Sequence, residues 1–160
     1  MTALRELATA RTVRAADARP HRRIPSLYAD PASWAVLEAV DEVLTGDPAT
    51  TAMVVVSTYG TVDTMTAIAG AVPGGRLSPL RFAGASTGGL SSLACMVHGL
   101  RGPALVITTD PSDGLPAART MAGHWLRTGA ASQVVIAGHE HDPRHGHEVR
   151  CVLVTAGGSR

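Results

Sequence analysis

The sequence contains no lysine and no asparagine. All 14 basic residues are therefore arginines, which rules out Schiff-base chemistry and the lysine of a phosphate-binding P-loop. Cysteine is scarce. Cys95 sits in an apolar helix-like stretch and Cys151 in a strand-like one, so both are expected as buried free thiols, not as a disulfide. Charges interrupt every apolar stretch before the ~18 residues a membrane span needs. The first residues carry Glu6 and several arginines where a secretory leader would have an apolar core, so a cytoplasmic location is expected. A net charge of +1 gives no general pull towards nucleic acid. No internal repeat or long low-complexity tract is present.

What remains is a 160-residue chain, 45% apolar and with 17 glycines. That is enough for one domain with a real core. Residues 1–23 hold six arginines (Arg5, Arg11, Arg14, Arg19, Arg22, Arg23) against two acids. The spacing of Leu4, Leu7 and Ala8 predicts a short helix or a basic mobile arm, separate from a domain over 24–160. Asp30-Pro31 opens a helix, aspartate as N-cap and proline at the first position. Trp34, Leu37, Val40 and Leu44 then share one face. Ala52 to Ser57 is a continuous β-branched run, the mark of a strand covered on both sides. A small-residue helix over about 61–71 follows, then a loop and a helix over 85–98 built from Gly, Ala and Ser. Strands are expected at 104–109, 133–137 and 149–155, with a helix after Asp110 that Gly129 stops. Strands alternating with helices predict an α/β fold, its sheet mainly parallel, with about four or five strands and helices on both faces.

Several motifs carry chemistry. His139, His141, His145 and His147 lie within nine residues, and four imidazoles could in principle hold zinc or nickel. Asp142-Pro143 and His145-Gly146 are ordinary turn dipeptides, however, so the segment 139–148 reads as a solvated loop and no metal is assigned. Gly84 to Gly89 has the glycine content of a phosphate loop, but no strand plainly ends there and no lysine follows. Ser86, Ser91 and Ser92 lack a Gly-x-Ser-x-Gly elbow and an evident His–Asp set, which argues against a serine hydrolase. His98 ends a helix, where an imidazole can act as a cap.

Four motifs occur in a definite order: Ser78-Pro79, then His98-Gly99-Leu100-Arg101-Gly102-Pro103, then Thr109-Asp110-Pro111-Ser112-Asp113-Gly114, then the strand that ends at Gly138. Together they resemble the N-terminal half of the β-ketoacyl-acyl carrier protein synthases, condensing enzymes of the thiolase fold. The resemblance runs from about Asp30 to Gly138 and implies a thiolase-like half. In that family the register of residues 109–114 is a nucleophile elbow, Thr-Ala-Cys-(Ser or Thr)-Ser-Gly, and the cysteine position here is Pro111. Proline offers no nucleophile, and Asp110 and Asp113 place negative charge where a thiolate and an oxyanion need the opposite. None of the seven histidines matches the two that the family takes from its second half. The resemblance therefore implies a subunit that does not condense, similar to a chain length factor, with no cofactor. It would pair with itself or a ketosynthase through the strand Ala104, Leu105, Val106, Ile107, Thr108 and Thr109. It would shape or bind an acyl chain, and an acyl carrier protein could dock on the N-terminal arginines. The alternative is a repurposed dehydratase, isomerase or cyclase acting on carrier-bound acyl chains, with Asp110, Asp113 and His98 as acid–base groups.

Overall fold

In a computed structural model that describes residues 3–158, five strands and five α-helices form one layered α/β unit. The expected segments 1–23 and 24–160 include Met1, Thr2, Ser159 and Arg160, which lie outside the described residues. The strands are β1 (Leu4–Arg14), β2 (Thr51–Ser57), β3 (Ala104–Ile107), β4 (Gln133–Asp142) and β5 (Gly146–Ala156). The helices are α1 (Pro31–Val43), α2 (Val62–Ala71), α3 (Pro79–Gly84), α4 (Gly89–His98) and α5 (Pro111–Thr128). Strand order across the sheet is β1-β5-β4-β2-β3. β2 runs parallel to β3 and β4, whereas β5 is antiparallel to β4 and β1. The sheet is thus mixed, with a parallel half and an antiparallel half.

β2 lies between two parallel neighbours, and all seven of its residues are buried. A strand covered on both faces needs apolar side chains at every position, which Thr51-Ala-Met-Val-Val-Val-Ser57 supplies. Met53 and Val55 point to one face, with Val135 and Ala137 of β4 and Val149, Cys151 and Leu153 of β5; α1 and α4 cover them. Ala52, Val54 and Val56 point to the other face, with Val134 and Ile136, and α5 covers these. α1 is the main anchor: Val36, Leu37, Val40 and Val43 are wholly buried, each contributing about 2 kcal/mol of transfer free energy. Asp30 caps it as the sequence implies, Oδ1 accepting from the Ala32 N–H at 2.8 Å.

Three expectations need correction. First, residues 4–14 are neither helix nor free arm but the edge strand β1, antiparallel to β5. From Ala8 to Arg14 burial alternates with period two. The register shifts between Glu6 and Ala8, and Leu7 is left without a partner there. That bulge breaks the alternation and gives Leu4, Leu7 and Ala8 their helix-like spacing. Second, residues 85–98 are not one helix. α3 and α4 are separated by a turn closed by the Gly89 N–H to the Ser86 carbonyl at 2.8 Å. Third, residues 139–148 are not a solvated loop. β4 continues to Asp142, and β5 restarts at Gly146 as its antiparallel partner.

The run Gly99 to Pro103 has a local physical explanation. Gly99 ends α4 in the left-handed conformation (φ +68°), which glycine adopts at least cost. Leu100 is buried. Gly102 crosses the β2 backbone so closely that a Cβ would lie 2.6 Å from the Thr51 carbonyl oxygen.

Candidate functional site

The start of α5 is well formed. Asp110 Oδ1 accepts from the Ser112 N–H at 2.8 Å, and the Asp110 carbonyl accepts from the Asp113 and Gly114 N–H groups. The bond from Ser112 holds the Asp110 carboxyl below its ordinary value. Pro111 takes the first helical position, where its missing N–H costs nothing. It is buried, and a Cβ built on Gly138 would lie 3.5 Å from its Cβ. Strand end, turn and helix start are thus all in place, with the Pro111 ring packed at the first helical position.

The structure does not assemble the alternative acid–base set. Asp110 and Asp113 share the first turn of α5, on one face of the sheet. His98 ends α4, in the layer on the opposite face. Its Nε2 lies 2.8 Å from Asp41 Oδ1 of α1, a short contact poorly aligned for a hydrogen bond. Three of the six N-terminal arginines are also engaged. Arg14 is buried and bonded to Glu38 and to the Ala18 carbonyl; Arg22 reaches Asp41, and Arg11 reaches Glu148. Arg5, Arg19 and Arg23 are exposed.

A second constellation lies at the carboxyl ends of β2 and β4, the usual place for ligand sites in α/β sheets. Alternation along β4 puts His139 and His141 on the α1 face, and β5 places His147 directly opposite His141. Ser57 ends β2 beside His139. The chain then turns through Gly60 into α2, whose first turn carries Asp63. Asp30 Oδ2 accepts from the Thr64 N–H at 2.9 Å and so ties α2 to the α1 cap.

These residues form a continuous chain of hydrogen bonds. Ser57 Oγ lies 2.8 Å from His139 Nδ1, His139 Nε2 lies 2.9 Å from His147 Nδ1, and His147 Nε2 lies 2.9 Å from Asp63 Oδ2. A carboxylate only accepts, so His147 Nε2 donates to Asp63 and its Nδ1 accepts from His139 Nε2. His139 Nδ1 then accepts from the Ser57 hydroxyl, whose oxygen accepts from the Gly60 N–H at 2.9 Å. Burial drives the His139 pKa down to about 3, with the neighbouring imidazoles adding to the effect. His147 is lowered by burial too, against the opposing pull of Asp63. His139 is therefore neutral at physiological pH and links Ser57 to His147 as donor on one nitrogen and acceptor on the other. Ser57 is wholly buried, so the chain orients groups and is not an exposed nucleophile.

Asp63 also approaches His141, with Oδ1 3.7 Å from His141 Nε2. Asp63, His141 and His147 each offer one donor atom, and all three atoms lie within 4.8 Å of one another. Sequence reasoning singled out the histidines but read them as solvated, and it missed Ser57 and Asp63. The available signal was alternation: His139 and His141 before the turn and His147 after it fall on one face of two paired strands.

Two further features bear on function. β3 is an edge strand, paired only with β2 among the described residues. Ala104 is exposed, and Leu105, Val106 and Ile107 are half-buried. Beside α4 a cavity of about 390 Å³ is lined by Leu27, Tyr28, Leu80, Ala83, Leu93 and Met96. The buried Ser33 Oγ at its wall has no hydrogen-bond partner among the described residues. No helix among the described residues is long and apolar enough to cross a membrane.

No family model matches the chain, and no curated protein sequence matches it. Solved structures do. The ishigamide ketosynthase/chain length factor is similar with a TM-score of 0.66 at 16% identity, over 85% of this chain and 46% of that one. A ketosynthase in complex with its chain length factor from Xenorhabdus doucetiae gives 0.63 at 13%, over 82% and 59%. A type II polyketide synthase acyl-carrier protein in complex with its ketosynthase bound to the hexaketide gives 0.61 at 14%, over 80% and 46%. At these identities the likeness is one of fold: a thiolase-like half. The chain spans about half the length of the structures it matches.

Proposed function

We propose that this chain is a non-condensing, ketosynthase-like subunit of polyketide or fatty-acid biosynthesis. It pairs with a second thiolase-fold polypeptide, a ketosynthase, and contributes a wall for an acyl chain. The observation that carries this reading is Pro111: an intact, capped and packed helix start that holds no nucleophile. A surface whose chemistry is absent while its architecture is kept serves by binding. The open edge of β3 supports pairing, since an unpaired strand edge is a template for another strand. The apolar cavity beside α4 has the lining that an acyl chain requires. Contact with an acyl carrier protein falls to the exposed Arg5, Arg19 and Arg23, because acids engage Arg11, Arg14 and Arg22.

The test is co-expression with a ketosynthase, followed by light scattering on the purified material and by mass spectrometry after incubation with acyl thioesters. A stoichiometric complex is expected, with no acyl group on this chain. Leu105→Arg should release a folded monomer, because it puts a charge on the pairing edge. A lone chain that stays monomeric beside every ketosynthase tried, or that becomes acylated, overturns the reading.

A further inference from the structure

The geometry points to a binding site for one divalent transition-metal cation, zinc in the first place, held by Asp63, His141 and His147. The site does not depend on the elbow or on any partner. His141 and His147 are a directly opposed pair on the β4–β5 hairpin, with ring centroids 5.0 Å apart. Asp63 reaches them from the first turn of α2 and sets one carboxylate oxygen 2.9 Å from His147 Nε2 and the other 3.7 Å from His141 Nε2. Around a tetrahedral ion with bonds of about 2.1 Å, donor atoms stand about 3.4 Å apart. The three atoms here already lie within 4.8 Å of one another, so small side-chain rotations close the site.

Donor chemistry selects the ion. Two imidazoles and one carboxylate suit zinc and its first-row neighbours, whereas calcium and magnesium prefer all-oxygen sites. Three protein donors leave a coordination position for water or a carbonyl oxygen, the arrangement of a reactive site and not of a closed structural one. Asp63 and His141 are partly exposed while His147 is wholly buried, so the ion has a path from solvent to an anchored floor.

The surroundings are those a metal-bound histidine requires. With His147 Nε2 on the ion, its proton sits on Nδ1 and is donated to His139 Nε2; His139 Nδ1 then donates to Ser57 Oγ. The chain from Ser57 to His147 reverses its direction, and both imidazoles keep one proton each. Such outer hydrogen bonds fix the tautomer and ring orientation of a ligating histidine.

The test uses the full, tag-free chain stripped of metal. Titration with Co²⁺ should give one equivalent with visible d–d absorption, displaced by Zn²⁺. Zinc should raise the thermal midpoint. In histidine-edited NMR spectra of the unaltered chain, the His141 and His147 signals should move on zinc addition while those of His124 and His145 stay. Asp63→Asn and His141→Ala should weaken binding by more than about 100-fold, and Ser57→Ala by about tenfold, the scale of an outer hydrogen bond. His145→Ala, at the exposed hairpin tip, should leave binding unchanged. Absence of stoichiometric binding overturns the proposal. So does binding that survives in both Asp63→Asn and His141→Ala, or that His145→Ala abolishes. Should a variant fail to fold, the spectra of the unaltered chain decide.

Discussion

Two alanine substitutions in α5 should change stability in opposite directions. In a helix interior where the added methyl group fits, glycine to alanine stabilises by about 1 kcal/mol. Gly123 has room for the methyl group: a Cβ there would meet only Leu4 Cδ2, at 4.0 Å. Gly114 has none. A Cβ there would drive into Val56 Cγ1 and stand 2.6 Å from Thr109 Cγ2. Val56 is wholly buried in the central strand, and a β-branched side chain has few rotamers to retreat into. Overpacking costs about 1–3 kcal/mol, and with Val56 unable to retreat the upper figure applies, which leaves about 2 kcal/mol after the helix-propensity gain. For a domain of this size 1 kcal/mol corresponds to about 2–4 °C. Gly123→Ala should therefore raise the thermal midpoint by about 2–4 °C, and Gly114→Ala should lower it by about 4–8 °C at an expected net cost of about 2 kcal/mol. Differential scanning calorimetry measures both, and urea titration checks that the m-value is unchanged. If Gly114→Ala is neutral or stabilising, α5 does not seat on β2 as described, and the account of the elbow loses its footing.

Further outcomes follow from the same packing. Burial pushes the Cys151 thiol up to about 12, so Ellman's reagent should not label it in the native protein and should label it after guanidinium unfolding; rapid native labelling at Cys151 would contradict its place under α1. Glu38→Ala should destabilise by about 3 kcal/mol, because it leaves the buried Arg14 guanidinium without its carboxylate; an unchanged chemical-denaturation midpoint would mean that β1 is not docked. Asp110→Ala should lower the thermal midpoint near neutral pH. The folded carboxyl titrates below its ordinary value, so the cap's contribution is complete above about pH 4 and is lost as pH falls through the depressed value. Wild type and variant should converge in acid, and a gap that widens there would refute the cap.

The parts of the fold that were legible in sequence are those where one local rule acts alone. β2 is an uninterrupted β-branched run, and α1 and α5 each begin with Asp-Pro at cap and first turn, so a few residues sufficed. β1 was hidden because its bulge at Leu7 imposes helical spacing on a strand whose alternation is clear only from Ala8 onward. The hairpin was hidden because Asp142-Pro143 and His145-Gly146 mark a turn, and nothing local says how far the strands continue on either side of it. The cap and first turn of α5, Asp110 and Pro111, could be read directly. The histidine cluster could not, because Asp63 lies far from His141 and His147 in sequence and meets them only once β2, β4 and β5 have aligned.

The same alternation that organises the core keeps the two candidate sites apart. At the end of β4, Gly138 faces Pro111 and Leu115 of α5, and the next residue, His139, faces Ser57 and His147 on the other side of the sheet. At the end of β2 the step repeats: Val56 packs against Gly114, and Ser57 bonds to His139. A strand has period two, so adjacent side chains face opposite sides of the sheet. The start of α5 at Pro111 therefore places no constraint on the histidine cluster, because the two lie on opposite faces of the sheet. Any chemistry of the cluster belongs to the α1 face, with its own ligand and its own route from solvent.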